Sequence, residues 1–97
     1  MVILIKRTLL VYAEKNTTAA GSLNNWYQIV KTANWKSLAD IKKVFNNVDY
    51  IGNDRYVFNI KGNEYRLVTM IFFSSRTVYI RFIGTHAEYD KIDCTII

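Results

Sequence analysis

The sequence predicts an α+β fold in which N-terminal helices pack on a curved, mainly antiparallel sheet of about four strands. Apolar residues recur at helical spacing through the first half of the chain, whereas residues 50–84 form segments of strand character separated by short turns, alternating over 55–60 and mostly apolar over 64–73. A chain of 97 residues predicts one domain over residues 1–97. The apolar fraction of 51% is too high for a disordered chain.

The first half is predicted to form one short strand and three helices. Residues 2–5 are apolar and indicate a strand that joins the sheet, and residues 8–15 indicate the first helix. Residues 17–22 indicate a break, after which Ser22 can cap a second helix. Residues 37–40 resemble a capping box at the start of a third helix. Two tryptophans of this half are expected in the core or at a partner interface, namely Trp26 and Trp35.

The second half predicts an antiparallel meander. A strand begins near Tyr50 and ends at the turn formed by residues 52–54. Three further segments have strand character, with short turns between them: residues 55–60, 64–73 and 77–84. Consecutive strands on short turns pair with their neighbours, so these segments should form the centre of the sheet.

Charge and composition narrow the function classes. The net charge of +5 indicates a polyanionic partner such as nucleic acid, although a small domain can also carry such a charge for solubility. One cysteine and one histidine provide no disulfide and few metal ligands, so we expect neither a bound metal nor another cofactor. No signal peptide or membrane-spanning stretch is evident, so we expect a cytoplasmic protein without membrane contact.

Two segments that flank the meander carry polar residues suited to chemistry. The run Thr85-His86-Ala87-Glu88 matches a capping box, which would place His86 in the first turn of a helix with Tyr89 on the same side. An isolated histidine there can also be an incidental surface residue. Arg66 and Arg81 interrupt apolar strands, and a buried arginine needs a partner. Together they could clamp a phosphate, or they could form salt bridges to nearby carboxylates, which are Glu64, Glu88 and Asp90.

These residue types are sufficient for RNA cleavage without a metal. A base removes the proton of the ribose 2′-OH, the oxygen attacks the adjacent phosphorus, cations stabilise the added charge, and an acid protonates the leaving 5′-oxygen. DNA lacks the 2′-OH, so this chemistry selects RNA. A Gly-rich phosphate loop, a nucleophile elbow and a metal-ligand spacing are all missing from the sequence.

Two stretches together resemble the HigB-type mRNA interferase toxins of the RelE-like superfamily of toxin–antitoxin systems. They are residues 56–67, YVFNIKGNEYRL, and residues 85–90, THAEYD. The order of elements is similar over nearly the whole chain. The resemblance implies a single RelE-like toxin domain, helices on a curved antiparallel sheet, and an endoribonuclease that cuts mRNA on the ribosome and so inhibits translation.

The resemblance also assigns roles to residues. Arg66 matches the functional arginine after the Gly-Asn turn, and we expect it to stabilise phosphate. His86 holds a position that is often basic, and it is expected as base or acid. Tyr89 is expected to stack or transfer a proton, Lys61 to bind phosphate, and Asp90 to orient His86 or only to stabilise the helix start. The remaining residues assigned to RNA or phosphate binding are Asn63, Arg81 and Lys91.

The resemblance has one departure and implies several partners. The central strands carry Asn59 and Thr69 where many RelE-like toxins have basic residues, so charge stabilisation should rest on Arg66 and the ribosome. Expected partners are a HigA-type helix-turn-helix antitoxin, mRNA on the ribosome with contacts to ribosomal RNA, and operator DNA only through the antitoxin complex. The alternative is a basic RNA- or ribosome-binding module that blocks translation without cleavage.

Overall fold

The computed structural model describes residues 1–97 and confirms the α+β class. The sheet is mainly antiparallel, as expected, and the helices of the first half pack against it. No helix combines the length and apolar character needed to cross a membrane. The elements in chain order are β1 (Val2–Leu4), α1 (Arg7–Lys15), α2 (Thr17–Thr32), α3 (Leu38–Lys42), β2 (Asp49–Gly52), β3 (Arg55–Ile60), β4 (Tyr65–Phe72), β5 (Thr77–Thr85) and α4 (His86–Tyr89).

The sheet has five strands in the order β1-β5-β4-β3-β2. The fifth strand is β1, which joins the edge beside β5 and runs parallel to it because α1 and α2 return the chain before β2 begins. The remaining pairs are the predicted antiparallel meander. A bulge in β5 lies opposite Val68 and Thr69 and leaves Arg81 without a register partner on β4.

The predicted start of the second helix was wrong, and the predicted capping box of the third helix is absent although its start at Leu38 is as expected. The predicted break at residues 17–22 is helical, and α2 begins at Thr17 directly after Asn16, so Ser22 is not a cap. Ala19 in this turn is fully buried, and this packing overrides the weak helix preference of the two threonines. At α3, Ser37 makes no capping hydrogen bond, and the Asp40 carboxylate accepts from the backbone N–H of Lys36 instead.

The helix-covered face of the sheet holds the main core, a cluster of 18 buried residues. Phe58 at its centre lies 5.4 Å from Trp26, 6.4 Å from Trp35 and 5.3 Å from Phe45, measured between ring centroids. Both tryptophans are almost fully buried, so they are core residues and are not exposed for a partner. Aromatic packing of this kind contributes beyond the area that it buries.

The opposite face carries a much smaller cluster of three buried residues, Val57, Val68 and Cys94. Residues 92–97 fold back over this face and are held there by Arg55. The Arg55 guanidinium donates through Nε and Nη2 to the Ile97 carbonyl and through Nη1 to the Asn53 carbonyl. The helices of the first half do not cover the rest of this face, which is named the open face and carries polar side chains such as Asn59 and Arg66.

Candidate active site

The candidate site lies where β4 begins, β5 ends and α4 starts. The predicted capping box is present: Thr85 Oγ1 accepts from the Glu88 N–H at 3.2 Å, and the Glu88 carboxylate accepts from the Thr85 N–H at 2.8 Å. The His86 N–H donates to the Glu64 carbonyl at 3.1 Å. These bonds fix the first turn of α4 against the beginning of β4.

His86 and Asp90 form a contact on α4. The His86 Nδ1 atom lies 3.0 Å from Asp90 Oδ2, and both side chains are about half exposed. When Nδ1 donates to this carboxylate, Nε2 has a free lone pair that can accept a proton. The contact therefore gives Asp90 the geometry of a residue that orients the imidazole. The rings of His86 and Tyr89 are 6.5 Å apart in an edge-to-face arrangement.

Arg66 lies beside these residues on the open face, and no carboxylate approaches it. Its guanidinium carbon is 5.9 Å from the centroid of the Tyr89 ring, within the range of a cation–π contact. No acidic group comes within 4.0 Å of it, and its buried Nη1 atom has no hydrogen-bond acceptor. The predicted alternative, a salt bridge from Arg66 to a nearby carboxylate, is therefore wrong. On the same face, all three side-chain nitrogen atoms of Arg55 donate to carbonyl groups, whereas Nη1 of Arg66 has no acceptor.

Asn59 is a further candidate site residue, which the sequence indicated only as a departure from the family pattern. It pairs with Arg66 across β3 and β4, and Gly84 on β5 is the partner of Arg66 on the other side. The Oδ1 atom of Asn59 is buried without a hydrogen-bond donor. An unpaired buried acceptor on the strand next to an unpaired buried donor is uncommon in a folded chain, so Asn59 is a candidate to act together with Arg66. The sequence signal was the shared strand parity of Asn59 and Val57, which places Asn59 on the open face.

Tyr89 is held over the small cluster of the open face. Burial raises the pKa of Tyr89 above its usual 10.0, a hydrogen bond to Cys94 adds to this, and Arg66 opposes it. Burial also raises the pKa of Cys94 above its usual 9.0, because the thiolate would lose its hydration. Tyr89 therefore stays a neutral phenol near pH 7 and can donate, but not remove, a proton.

The other predicted site residues form no hydrogen bond or ion pair with Arg66, His86 or Tyr89. Lys61 lies in the turn before β4 and forms an ion pair with Glu64 at 3.8 Å. Arg81 is exposed at the bulge, and three residues of strand, roughly 10 Å, separate it from the level of Arg66. The structure therefore does not bring the two arginines together as a clamp. Asn63 and Lys91 are exposed, and neither side chain has a hydrogen bond or ion pair.

The fold and this site define a class of protein. No three His, Cys, Asp or Glu side chains are grouped so that they could hold a metal ion. An open sheet face that presents an unpaired arginine beside histidine and tyrosine, with helices on the other face, is consistent with the RelE-like fold. Comparison with known families agrees: residues 19–92 match the HigB toxins, described as the RelE-like toxic component of a toxin–antitoxin system. The chain belongs to this family.

Individual relatives carry matching names. The chain is 46% identical over 59 residues to the mRNA interferase toxin HigB of Escherichia coli strain K12, and equally to the mRNA interferase HigB of Shigella flexneri. These matches cover 58% of the chain and 56%, little more than half, of each relative. A longer match, 29% identical over 82 residues, covers 82% of the chain and 80% of the mRNA interferase HigB of Escherichia coli O6:H1.

Proposed function

We propose that the protein is the toxin of a type II toxin–antitoxin system and cuts mRNA in translating ribosomes. The observation that carries this proposal is the unpaired, partly buried guanidinium of Arg66 beside His86 and Tyr89. An arginine left without an acceptor is stabilised when a phosphate occupies the site. The names of the relatives, mRNA interferase, supply the substrate class.

The proposed reaction needs no metal. His86 Nε2 removes the proton of the ribose 2′-OH while Asp90 holds Nδ1, and the 2′-oxygen forms a bond to the adjacent phosphorus. Arg66 donates hydrogen bonds to the phosphate oxygens as negative charge develops on them. The bond from phosphorus to the 5′-oxygen breaks, and that oxygen takes a proton from an acid, for which the neutral Tyr89 is suited. The products are a 2′,3′-cyclic phosphate and a 5′-hydroxyl.

Asn59 extends this site toward the nucleotide. Its free acceptor Oδ1 cannot bond to a phosphate oxygen, which is itself an acceptor. It suits a ribose hydroxyl or the exocyclic amine of a base. Lys61, Asn63, Arg81 and Lys91 would contact more distant phosphates or ribosomal RNA, because all four side chains are exposed.

The proposal includes the cellular setting. Cleavage of mRNA on the ribosome requires a cytoplasmic protein, and we place it there. A HigA-type helix-turn-helix antitoxin would neutralise it, and operator DNA would be bound only through that complex. We propose that residues 1–97 act as one RelE-like toxin domain in this assembly.

The test is to map mRNA 5′ ends after brief induction of the toxin, with and without Arg66→Ala or His86→Ala. We expect growth arrest and new 5′-hydroxyl ends with the unaltered chain, and a loss of both with either variant. Arg76→Ala is a matched control, because it removes the same charge from an exposed turn away from the site. It should cut mRNA like the unaltered chain.

Two results would contradict the proposal. Growth arrest without new mRNA ends would favour the alternative, a module that blocks translation by binding alone. Unchanged cleavage in both site variants would disprove the assignment of Arg66 and His86. The chemistry of the cut ends tests metal independence: 2′,3′-cyclic phosphate ends are expected, whereas 3′-hydroxyl and 5′-phosphate ends, the products of a metal-activated water, would refute that part.

A further inference from the structure

Helix α1 exposes apolar side chains on the side of the molecule formed by β1, α1 and α2. Leu10 is 59% exposed, Val11 is 38% exposed, and Ile5 just before the helix is 50% exposed. Ile5 also adopts φ +63°, which is costly for a β-branched residue. Contiguous exposed apolar surface marks an interaction site, and Leu10 is continuous with an apolar cleft.

A cleft between α1 and α2 lies beside Leu10, whereas Ile5 and Val11 line a second groove on the other side of α1. The cleft encloses about 210 Å³, and Leu10 forms part of its rim. Its apolar lining consists mainly of Leu9, Ala13, Ala20, Leu23 and Tyr27. A site of this size is smaller than a typical small-molecule pocket and is suited to one large apolar side chain.

The surroundings of the cleft are basic. Residues 1–39 contain five Lys/Arg and a single acidic residue, Glu14. Lys6 lines the cleft itself, and Arg7 and Lys15 line the second groove. No side chain of these three forms an ion pair within the chain. An acidic partner would neutralise this charge, whereas a second copy of the chain would bring like charges together.

We propose that the cleft between α1 and α2 docks an acidic amphipathic helix of a partner protein. Its apolar side chain would fill the cleft against Leu10, and its carboxylates would face Lys6 and its basic neighbours. The apolar lining favours protein over RNA, because phosphate and ribose gain nothing from it. This proposal rests on the proposed function in one respect, since the antitoxin is the partner that a toxin needs. The cleft lies on the helices, away from Arg66 and His86, so docking there leaves the site itself uncovered.

The test uses two labelled synthetic helical peptides of 18 residues with the same leucine stripe. One carries Glu on its polar positions and the other carries Lys. Fluorescence anisotropy measures binding to the full chain and to two variants, Leu10→Glu and Val44→Glu. Val44 is a matched control, because it is 51% exposed and lines neither groove of α1. We expect Leu10→Glu to weaken binding of the acidic peptide about tenfold or more and Val44→Glu less than about twofold.

Several outcomes would overturn the proposal. The first is equal affinity for the acidic and basic peptides, and the second is an equal effect of the two variants on binding. Displacement of the acidic peptide by a 12-nucleotide RNA would also contradict it, as would a dimer in light scattering that Leu10→Glu dissociates. Leu10→Glu should cut mRNA like the unaltered chain. Peptide binding is measured without RNA, so loss of docking with retained cleavage, or the reverse, distinguishes failure of this proposal from failure of the proposed function.

Discussion

The two faces of the sheet differ in what they bury. The helix-covered face buries 18 residues in one continuous cluster, while the opposite face buries three and leaves polar side chains between them. Phe58 and Val57 are neighbours in β3 and point to different faces. A small chain has little apolar surface to spare, so one well-packed face must supply most of the stability. The other face can then hold groups that would be costly in a core.

The open face itself contains two different arginines. Arg55 is buried, and each of its three side-chain nitrogen atoms donates a hydrogen bond to a carbonyl group of the chain. Arg66 has a buried nitrogen with no acceptor. A buried unpaired donor reduces stability, whereas a satisfied one does not. Residue type alone does not distinguish the two arginines; their hydrogen bonds do, and they are the reason that Arg66 is the one proposed to bind phosphate.

The first prediction has the largest expected effect and compares how much each face of the sheet contributes to the free energy of unfolding. Phe58→Ala should lower the free energy of unfolding by about 3–5 kcal/mol, because it removes the ring at the centre of the aromatic cluster. Val57→Ala removes two carbon atoms from the smaller cluster and should cost roughly 1.6 kcal/mol. Urea denaturation measures both. Equal losses would mean that the open face contributes as much as the covered one.

The second prediction concerns the two arginines. Arg66→Met should reduce mRNA cleavage about 100-fold, as expected for loss of a group that stabilises charge in the transition state. It should leave the free energy of unfolding unchanged or raise it, because an unpaired buried donor disappears.

Arg55→Met is the matched comparison and should behave in the opposite way. It leaves the Ile97 and Asn53 carbonyls without their donors, so stability should fall by about 1–3 kcal/mol. Cleavage should fall less than with Arg66→Met. If Arg66→Met destabilised the protein as much as Arg55→Met, Arg66 would be structural, and the distinction between the two arginines would be lost.

The third prediction tests Asn59. Asn59→Ala should reduce cleavage about tenfold, the value of one hydrogen bond to the substrate, with little change in stability. Asn59→Asp should reduce cleavage further, because its carboxylate would pair with Arg66 and compete with the phosphate. Asn25→Ala on the exposed side of α2 is the control. Normal cleavage by Asn59→Asp would show that neither Asn59 nor its neighbour Arg66 meets the substrate.

Much of the fold could be predicted from the sequence, because the alternation in β3, the apolar run of β4 and the turn residues between the strands are local signals. The capping box at Thr85 could be predicted equally well, since its four residues are consecutive in the sequence. The start of α2 could not be predicted, because it depends on the burial of Ala19 against distant residues. The position of β1 depends on parallel pairing with β5, a contact between residues 75 apart in the chain, such as Val2 and Thr77.

The site was predictable in part. The grouping of Arg66, His86 and Tyr89 followed from the order of strands and the family resemblance, and their contacts are present in the structure. Arg81 was misplaced relative to Arg66 because a bulge changes the strand register, and no local residue pattern marks it. The role proposed for Asn59 rests on its unpaired Oδ1 atom, and only the three-dimensional structure shows that this acceptor has no donor.

The smallest expected effect is an alkaline loss of stability that begins on the open face. Burial holds the pKa of Cys94 above 9.0 and that of Tyr89 above 10.0 in the folded chain, while the unfolded chain keeps the usual values. As pH rises past 9.0, the unfolded chain therefore loses protons first and becomes more favourable. The stability that comes from burying the protonated Cys94 and Tyr89 is complete below pH 9, and it declines as pH rises toward their pKa values in the folded chain.

The variant Cys94→Ala measures how much the open face contributes to this alkaline loss of stability. It should remove the decline that begins near pH 9 and keep the later one, because Tyr56 on the covered face also has a pKa raised by burial above 10.0. Urea denaturation at pH 7, 9, 10 and 10.5 measures the profile. If Cys94→Ala and the unaltered chain declined in parallel from pH 9, the thiol would not be buried in the folded state. Cys94 would then not belong to the small cluster, which would consist of Val57 and Val68 alone.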